Sequence, residues 1–216
     1  ARWIHPDKGM ISPGDFIPIF EKNGFIRFLD YCIWEETCKF IVDCKKSNLK
    51  SYPISINVSR IHFYSKELKH KLLELLEKYN LDASELELEI TESVYVEDAE
   101  LINKRITELQ QLGFKIAMDD FGSGFSSLNM LKEIPLDILK MDLKFLDSSE
   151  NVEKSHKILG SLIQLAKSLE LRVVVEGVET AEQVEFLKSM GKLGAQGYYY
   201  SRPLAVKDYK KLLEAV

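Results

Sequence analysis

Six short apolar runs rich in β-branched residues alternate with longer stretches of helical periodicity, which restricts the chain to a parallel sheet covered by helices. The runs fall at 54–58, 86–90, 115–118, 138–141, 172–175 and 197–200. Helical stretches follow at 66–79, 98–112, 126–132, 152–169, 181–190 and 206–215, with two more, 13–23 and 27–44, ahead of the first run. Ser12 before Pro13 reads as a helix cap, and Thr180 precedes a helix with Glu182 and Gln183 in its first turn. Gly113 reads as a helix stop. Polar residues sit at nearly every predicted strand end instead of gathering at one switch point, so a barrel suits the pattern better than an open doubly wound sheet. The expected fold is α/β, a modified TIM-type (β/α)8 barrel. Six runs fall short of eight strands and a closed barrel has no edges, so a first strand is expected upstream. Residues 1–216 are therefore read as one N-terminally truncated domain of a longer protein.

With 216 residues, 45% of them hydrophobic, the chain is long enough to bury one sizeable core. Its net charge of -5 and pI near 5.5 argue against a broad footprint for duplex nucleic acid. Cys32, Cys38 and Cys44 share one predicted helix without metal or disulfide spacing, and are read as buried thiols in a reducing compartment. No apolar run approaches the ~18 residues that span a bilayer, and the start lacks a signal sequence. The domain is expected in the cytoplasm without membrane contact of its own, free-standing or as the cytoplasmic part of an anchored protein.

Acidic residues recur where the predicted strands end: Glu89 and Glu92 in LELEITES, Asp119 and Asp120 in AMDDFGSG, Asp142 in LKMD, Glu176 and Glu179 in VVVEGVE. Asn57 in ISINV and Gln196 in AQGYYY are neutral oxygen donors at similar positions. Carboxylates ~4 Å apart repel by roughly 4 kcal/mol per pair at an effective dielectric near 20, so a rim that gathers several calls for divalent cations. Neighbouring strands lie ~4.8 Å apart, so Asn57, Glu89 and Asp119, from three successive strands, are expected to share one ion. Asp120 is expected to hold a second ion bridged by Asp119, as in two-metal hydrolases. Lys140 is expected beside a metal-bound water as a positioning or proton-handling group. Glu85, Glu87, Glu97 and Glu100 read as surface charge. His5, His62, His70 and His156 lack metal spacing and read as surface or packing residues. GSGFSS lacks the GK[ST] of a P-loop, and Ser126 and Ser127 lack a GxSxG setting. Tyr198, Tyr199 and Tyr200 read as core and rim of a strand.

The order of ARWIHPDKGMISPGDFIPIFEKNG, SINVS, LELEITES, AMDDFGSGFSSL, LKMD, VVVEGVETAEQ and QGYYYSRPL resembles the EAL-domain cyclic-di-GMP phosphodiesterases over nearly the whole chain. That resemblance implies a barrel with an antiparallel first strand, two Mg2+ or Mn2+ ions per site at its mouth, and hydrolysis of cyclic di-GMP to linear pGpG. It makes Asn57, Glu89 and Asp119 metal ligands, Asp120 a ligand of the second ion, and Lys140 a neighbour of the attacking water. Glu176 would contact metal or its water, Glu179 and Gln196 would support the site, and Arg2 would touch substrate phosphate. Glu92 would anchor the loop 121–127, which in the family couples dimer contacts to metal binding, so a homodimer through that loop is expected. An upstream sensor or GGDEF domain is expected as well. The Glu-Ala-Leu triplet that names the family would stand immediately before Ala1. Phe20 replaces the usual alanine of IPxAE beside the expected nucleotide pocket, and Lys192 and Leu193 replace Cys-Asp before Gln196. Two other readings compete: a catalytically silent cyclic-di-GMP receptor, and an aldolase using Lys140 as a Schiff-base amine of depressed pKa.

Overall fold

Leu86, Leu88 and Ile90 are buried, and the glutamates between them face the other way, so one strand divides an apolar face from a charged one. In the computed structural model, which describes residues 2–95, 98–122, 128–143 and 152–214, the neighbouring strands likewise turn an apolar side toward the helices. The elements in order are β1 Trp3–His5, β2 Gly9–Ile11, α1 Pro13–Asn23, α2 Ile26–Lys46, β3 Ile54–Asn57, α3 Leu68–Tyr79, β4 Leu86–Thr91, α4 Ala99–Gln111 and β5 Lys115–Phe121. There follow α5 Leu128–Glu133, β6 Ile138–Asp142, α6 Val152–Ser168, β7 Arg172–Glu176, α7 Ala181–Ser189, β8 Gly194–Ala195 and α8 Val206–Glu214. Strands β3 to β8 pair in sequence order, all parallel, and β1 with β2 forms a separate antiparallel hairpin.

The apolar face meets the helices. Trp34, Cys38 and Ile41 on α2, and Ile102, Ile106 and Leu109 on α4, repeat at three- and four-residue spacing and are at most 2% exposed. Ile56, Leu88, Ile116, Leu139, Val173 and Val175 complete this layer from the strands.

The other face is strongly curved. Arg172 Nη2 on β7 donates to Glu87 Oε1 on β4 at 2.6 Å, across three strand spacings that would separate the backbones by ~14 Å in a flat sheet. The sheet is thus the curled wall of a barrel, with β3 and β8 as its edges among the described strands. Glu87, expected as surface charge, is 7% exposed and lies inside this wall, where Arg172 meets its charge.

Several local expectations change. The run 197–200 is not a strand: β8 is Gly194–Ala195, and Tyr198, Tyr199 and Tyr200 are each about half exposed in a turn. A Cβ on Gly197 would collide with the backbone N and O of Val178, so only a bare backbone passes there. Ser12 occupies the N-cap of α1 without a side-chain hydrogen bond, whereas Thr180 and Gln183 form a complete capping box on α7. Cys38 and Cys44 are buried and Cys32 is exposed. Burial, with Glu35 and Glu85 nearby, pushes the Cys38 thiol up to about 11, which leaves it unreactive. Glu97, Ser126, Ser127 and most of the loop 121–127 lie outside the described residues. Among the described residues no helix is long and apolar enough to cross a membrane.

Candidate active site

The register of the wall fixes which side chains meet. Asn57 pairs with Glu89 across β3 and β4, Thr91 with Asp119 across β4 and β5, and Asp142 with Glu176 across β6 and β7. Side chains alternate along each strand, so Glu89, Asp119, Lys140 and Glu176 share the concave face. Lys140 Nζ stands at their centre, 2.6 Å from Glu89 Oε1, 2.5 Å from Glu176 Oε1 and 3.4 Å from Asp119 Oδ1. Burial alone would favour loss of its proton, but the charges of Glu89 and Asp119 and the bonds to Glu176 and Glu89 outweigh it and hold the ammonium above the usual lysine range.

The carboxylates outnumber that cation. Burial raises the Glu176 carboxyl; Lys140 opposes the rise, and Asp119 and Glu89 add to it. Asp120 is raised by burial first, then by Asp119 and Asp142. Its backbone lies in the left-handed region, φ 55°, where the register between β5 and β6 shifts between Met118 and Phe121. This bulge lets two consecutive aspartates serve one rim. Asp142 is packed close by Gly177, φ 73°, where an added Cβ would come 2.7 Å from Asp142 Oδ1.

Asp119 Oδ1 and Glu176 Oε1 are buried without a hydrogen bond of good geometry, although both lie within ion-pair reach of Lys140. Buried hard oxygens with surplus negative charge suit a divalent cation. Among the described residues, however, no three His, Cys, Asp or Glu side chains are set around a common point as ligands. The cation that Glu89, Asp119 and Glu176 share here is the Lys140 ammonium, which draws them toward itself.

Beside this cluster opens a cavity of about 690 Å³. Arg2, Asn57, Ser59, Arg60, Tyr64 and Glu89 contribute to its wall, and Pro13, Ile17 and Glu21 reach it from α1. Phe20, expected next to the nucleotide pocket, packs its ring with Trp3, Phe16 and Phe25, while Ile17 and Glu21 of the same helix line the cavity. Glu92 Oε1 accepts the Gly122 N–H at 3.0 Å, at the head of the loop 121–127. Glu179 is exposed, with its N–H donated to Gln183 Oε1. Gln196 is held by its backbone, N–H to Val175 O and C=O from Val178 N–H, with an exposed side chain. Leu193 packs against the core while Lys192 is exposed.

Spacing in the sequence does not reveal a second buried group. Asp30 Oδ2 lies 3.0 Å from His62 Nε2 and accepts the Ser59 N–H at 3.1 Å, and Trp34 Nε1 donates to the Asn57 carbonyl at 2.8 Å. His62 is fully buried against Tyr31 and Trp34, in keeping with its reading as a packing residue.

A parallel barrel wall whose strand ends deliver carboxylates and one lysine to a polar cavity defines the class, and the chain belongs to the EAL domain family, whose model matches residues 1–203. It is 34% identical to the oxygen sensor protein DosP of Escherichia coli over 216 residues, covering 100% of this chain and 27% of DosP. It is 33% identical to the cyclic di-GMP phosphodiesterase NbdA of Pseudomonas aeruginosa over 215 residues, 100% of this chain and 28% of NbdA. The solved PaMucR phosphodiesterase in its c-di-GMP complex superposes with a TM-score of 0.88 at 33% identity, over 96% of this chain and 84% of that one. The chain spans about a quarter of the length of the curated relatives it matches first.

Proposed function

We propose that this domain is a metal-dependent phosphodiesterase that hydrolyses cyclic di-GMP to linear pGpG. The observation that carries the proposal is the gathering of Glu89, Asp119 and Glu176 around Lys140, next to a cavity that Arg2 also lines. Relatives named as cyclic di-GMP phosphodiesterases, and a neighbour solved with that dinucleotide, support the substrate class.

Asn57, Glu89 and Asp119 would hold one Mg2+ or Mn2+ ion, and Asp120, sharing Asp119, a second. A bound ion would supply Lewis acidity, lowering the pKa of a water and polarising a phosphoryl oxygen. The remaining chemistry belongs to side chains of this chain. Arg2 offers a guanidinium to a phosphate oxygen, a contact that is strong because both partners are charged. Lys140 offers N–H donors to an oxygen in the cluster, and its charge gathers the carboxylates while no ion is bound. Glu176, whose carboxylate reaches the same cluster, is the group that would accept a proton. Glu179 and Gln196 flank it after β7 and β8. Glu92 fixes the chain after Asp120 through the Gly122 N–H.

The proposal includes a homodimer through the loop 121–127, an upstream sensor or GGDEF domain, and a cytoplasmic setting. A Schiff-base role for Lys140 is disfavoured, since that nucleophile must be neutral and the surrounding carboxylates raise its pKa. The test incubates protein extended upstream with cyclic di-GMP, with and without Mn2+ and with a chelator, and resolves products by chromatography. Metal-dependent pGpG is the expected result. Tight binding without product in every metal would replace this proposal with the receptor reading.

A further inference from the structure

Asn57 is the one expected metal ligand whose strand, β3, lies at an edge of the wall among the described residues, so strand pairing fixes it from one side only. Helix α2 supplies the second support, and its Asp30 also lines the cavity. Asp30 and Trp34 are one turn apart on α2 and therefore share a face. Trp34 Nε1 donates to the Asn57 carbonyl at 2.8 Å, and Asp30 Oδ2 accepts the Ser59 N–H at 3.1 Å. The same Asp30 oxygen meets His62 Nε2 at 3.0 Å, which places the proton on that nitrogen, and His62 packs against Trp34 at 4.8 Å between ring centres, the planes tilted by 46°. His62 Nδ1 is left buried without a hydrogen-bond partner. A buried carboxylate, a fully buried imidazole and an indole N–H thus converge on residues 57–62, where they bond a backbone carbonyl and N–H that apolar side chains could not.

We infer that Asp30, Trp34 and His62 are positioning residues: they clamp the backbone around Asn57 so that its side-chain amide is presented to the cavity in one orientation. The inference rests on the metal-dependent reading above, in which Asn57 is a ligand. Groups that orient a ligand typically change metal affinity 10- to 100-fold when removed.

The experiment titrates Mn2+ into metal-free protein by calorimetry, alongside thermal melting and steady-state kinetics. Trp34→Phe keeps an aromatic ring but removes the indole N–H and part of the buried volume, a loss that melting reports separately; it is expected to weaken Mn2+ binding about 10-fold while the KM for cyclic di-GMP stays within about 2-fold. His62→Gln, which retains a donor toward Asp30, is expected to bind Mn2+ within about 2-fold of the wild type, and His62→Leu to lose about 10-fold. In an Asn57→Ala background, Trp34→Phe is expected to cost nothing further, because the group it positions is gone. Wild-type Mn2+ affinity in Trp34→Phe, or the same loss with Asn57 already removed, overturns the clamp. A wild-type protein that binds no Mn2+ overturns the metal reading itself and the clamp with it, an outcome visible in the first titration.

Discussion

Removing the Lys140 ammonium tests the charge balance of the site most severely. Lys140→Met keeps the length of the side chain and deletes the charge, leaving Glu89, Asp119 and Glu176, which are 8–20% exposed, without the cation they share. Each pair of carboxylates ~4 Å apart then repels by roughly 4 kcal/mol at an effective dielectric near 20, and part of that is relieved when one of them takes up a proton. Breaking a buried ion pair from one side costs about 3–5 kcal/mol, and in a domain of this size 1 kcal/mol corresponds to about 2–4 °C. The variant is therefore expected to melt on the order of 10 °C below the wild type at pH 8 in a chelator. The sign with pH follows from linkage. Glu176, whose carboxyl burial already raises, then has a folded pKa above its unfolded one, so the folded state binds that proton more tightly and stability recovers as pH falls through the folded value. The deficit should shrink toward pH 5. Mn2+ should stabilise the variant more than the wild type, since the ion takes the place of the lost charge. Equal melting of the two proteins across pH 5 to 8 would refute the charge ledger.

Three further outcomes are expected. Asp120→Asn removes an acid whose folded pKa is raised and places asparagine at φ 55°, a conformation it tolerates well. In chelator it should melt above the wild type at pH 7 to 8, the gain fading as pH falls toward the ordinary aspartate value of 3.8, and turnover should drop. Gly197→Ala drives a methyl into the Val178 backbone and should lower the urea midpoint by an amount equivalent to about 2 kcal/mol or more. Glu92→Ala takes away the acceptor of the Gly122 N–H, and exchange of that amide, followed by NMR, should accelerate about 10-fold.

The strands and helices were legible because their periodicity is a direct image of burial. The alternation in LELEIT placed Leu86, Leu88 and Ile90 on the helix side, and the same alternation should have placed Glu87 with Glu89 inside the wall. Treating Glu87 as surface charge ignored that period and missed its partner Arg172, 85 residues away. The β1–β2 hairpin escaped because its strands are three residues each, although Pro6-Asp7-Lys8 between them and Gly9 at the start of β2 have turn chemistry. The tyrosines at 198–200 mimic a strand by propensity, while Gly197, pressed on Val178, sets the path of the chain instead. His62 was legible as a packing residue, but its link to Asp30 and Trp34 was not, since only the packing of α2 on β3 joins them. Acidic strand ends announced the site; they did not announce that Lys140 would stand at its centre.

The account depends on Asn57, Glu89 and Asp119 being able to turn from Lys140 and the cavity toward one divalent ion. Anomalous diffraction from crystals of the protein grown with Mn2+ and cyclic di-GMP measures this directly. The expected map has a peak within ~2.2 Å of oxygens from all three side chains, with Asp120 and Asp119 beside a second peak. Bound dinucleotide with no Mn2+ peak at those oxygens, and Lys140 still among the carboxylates, would contradict it.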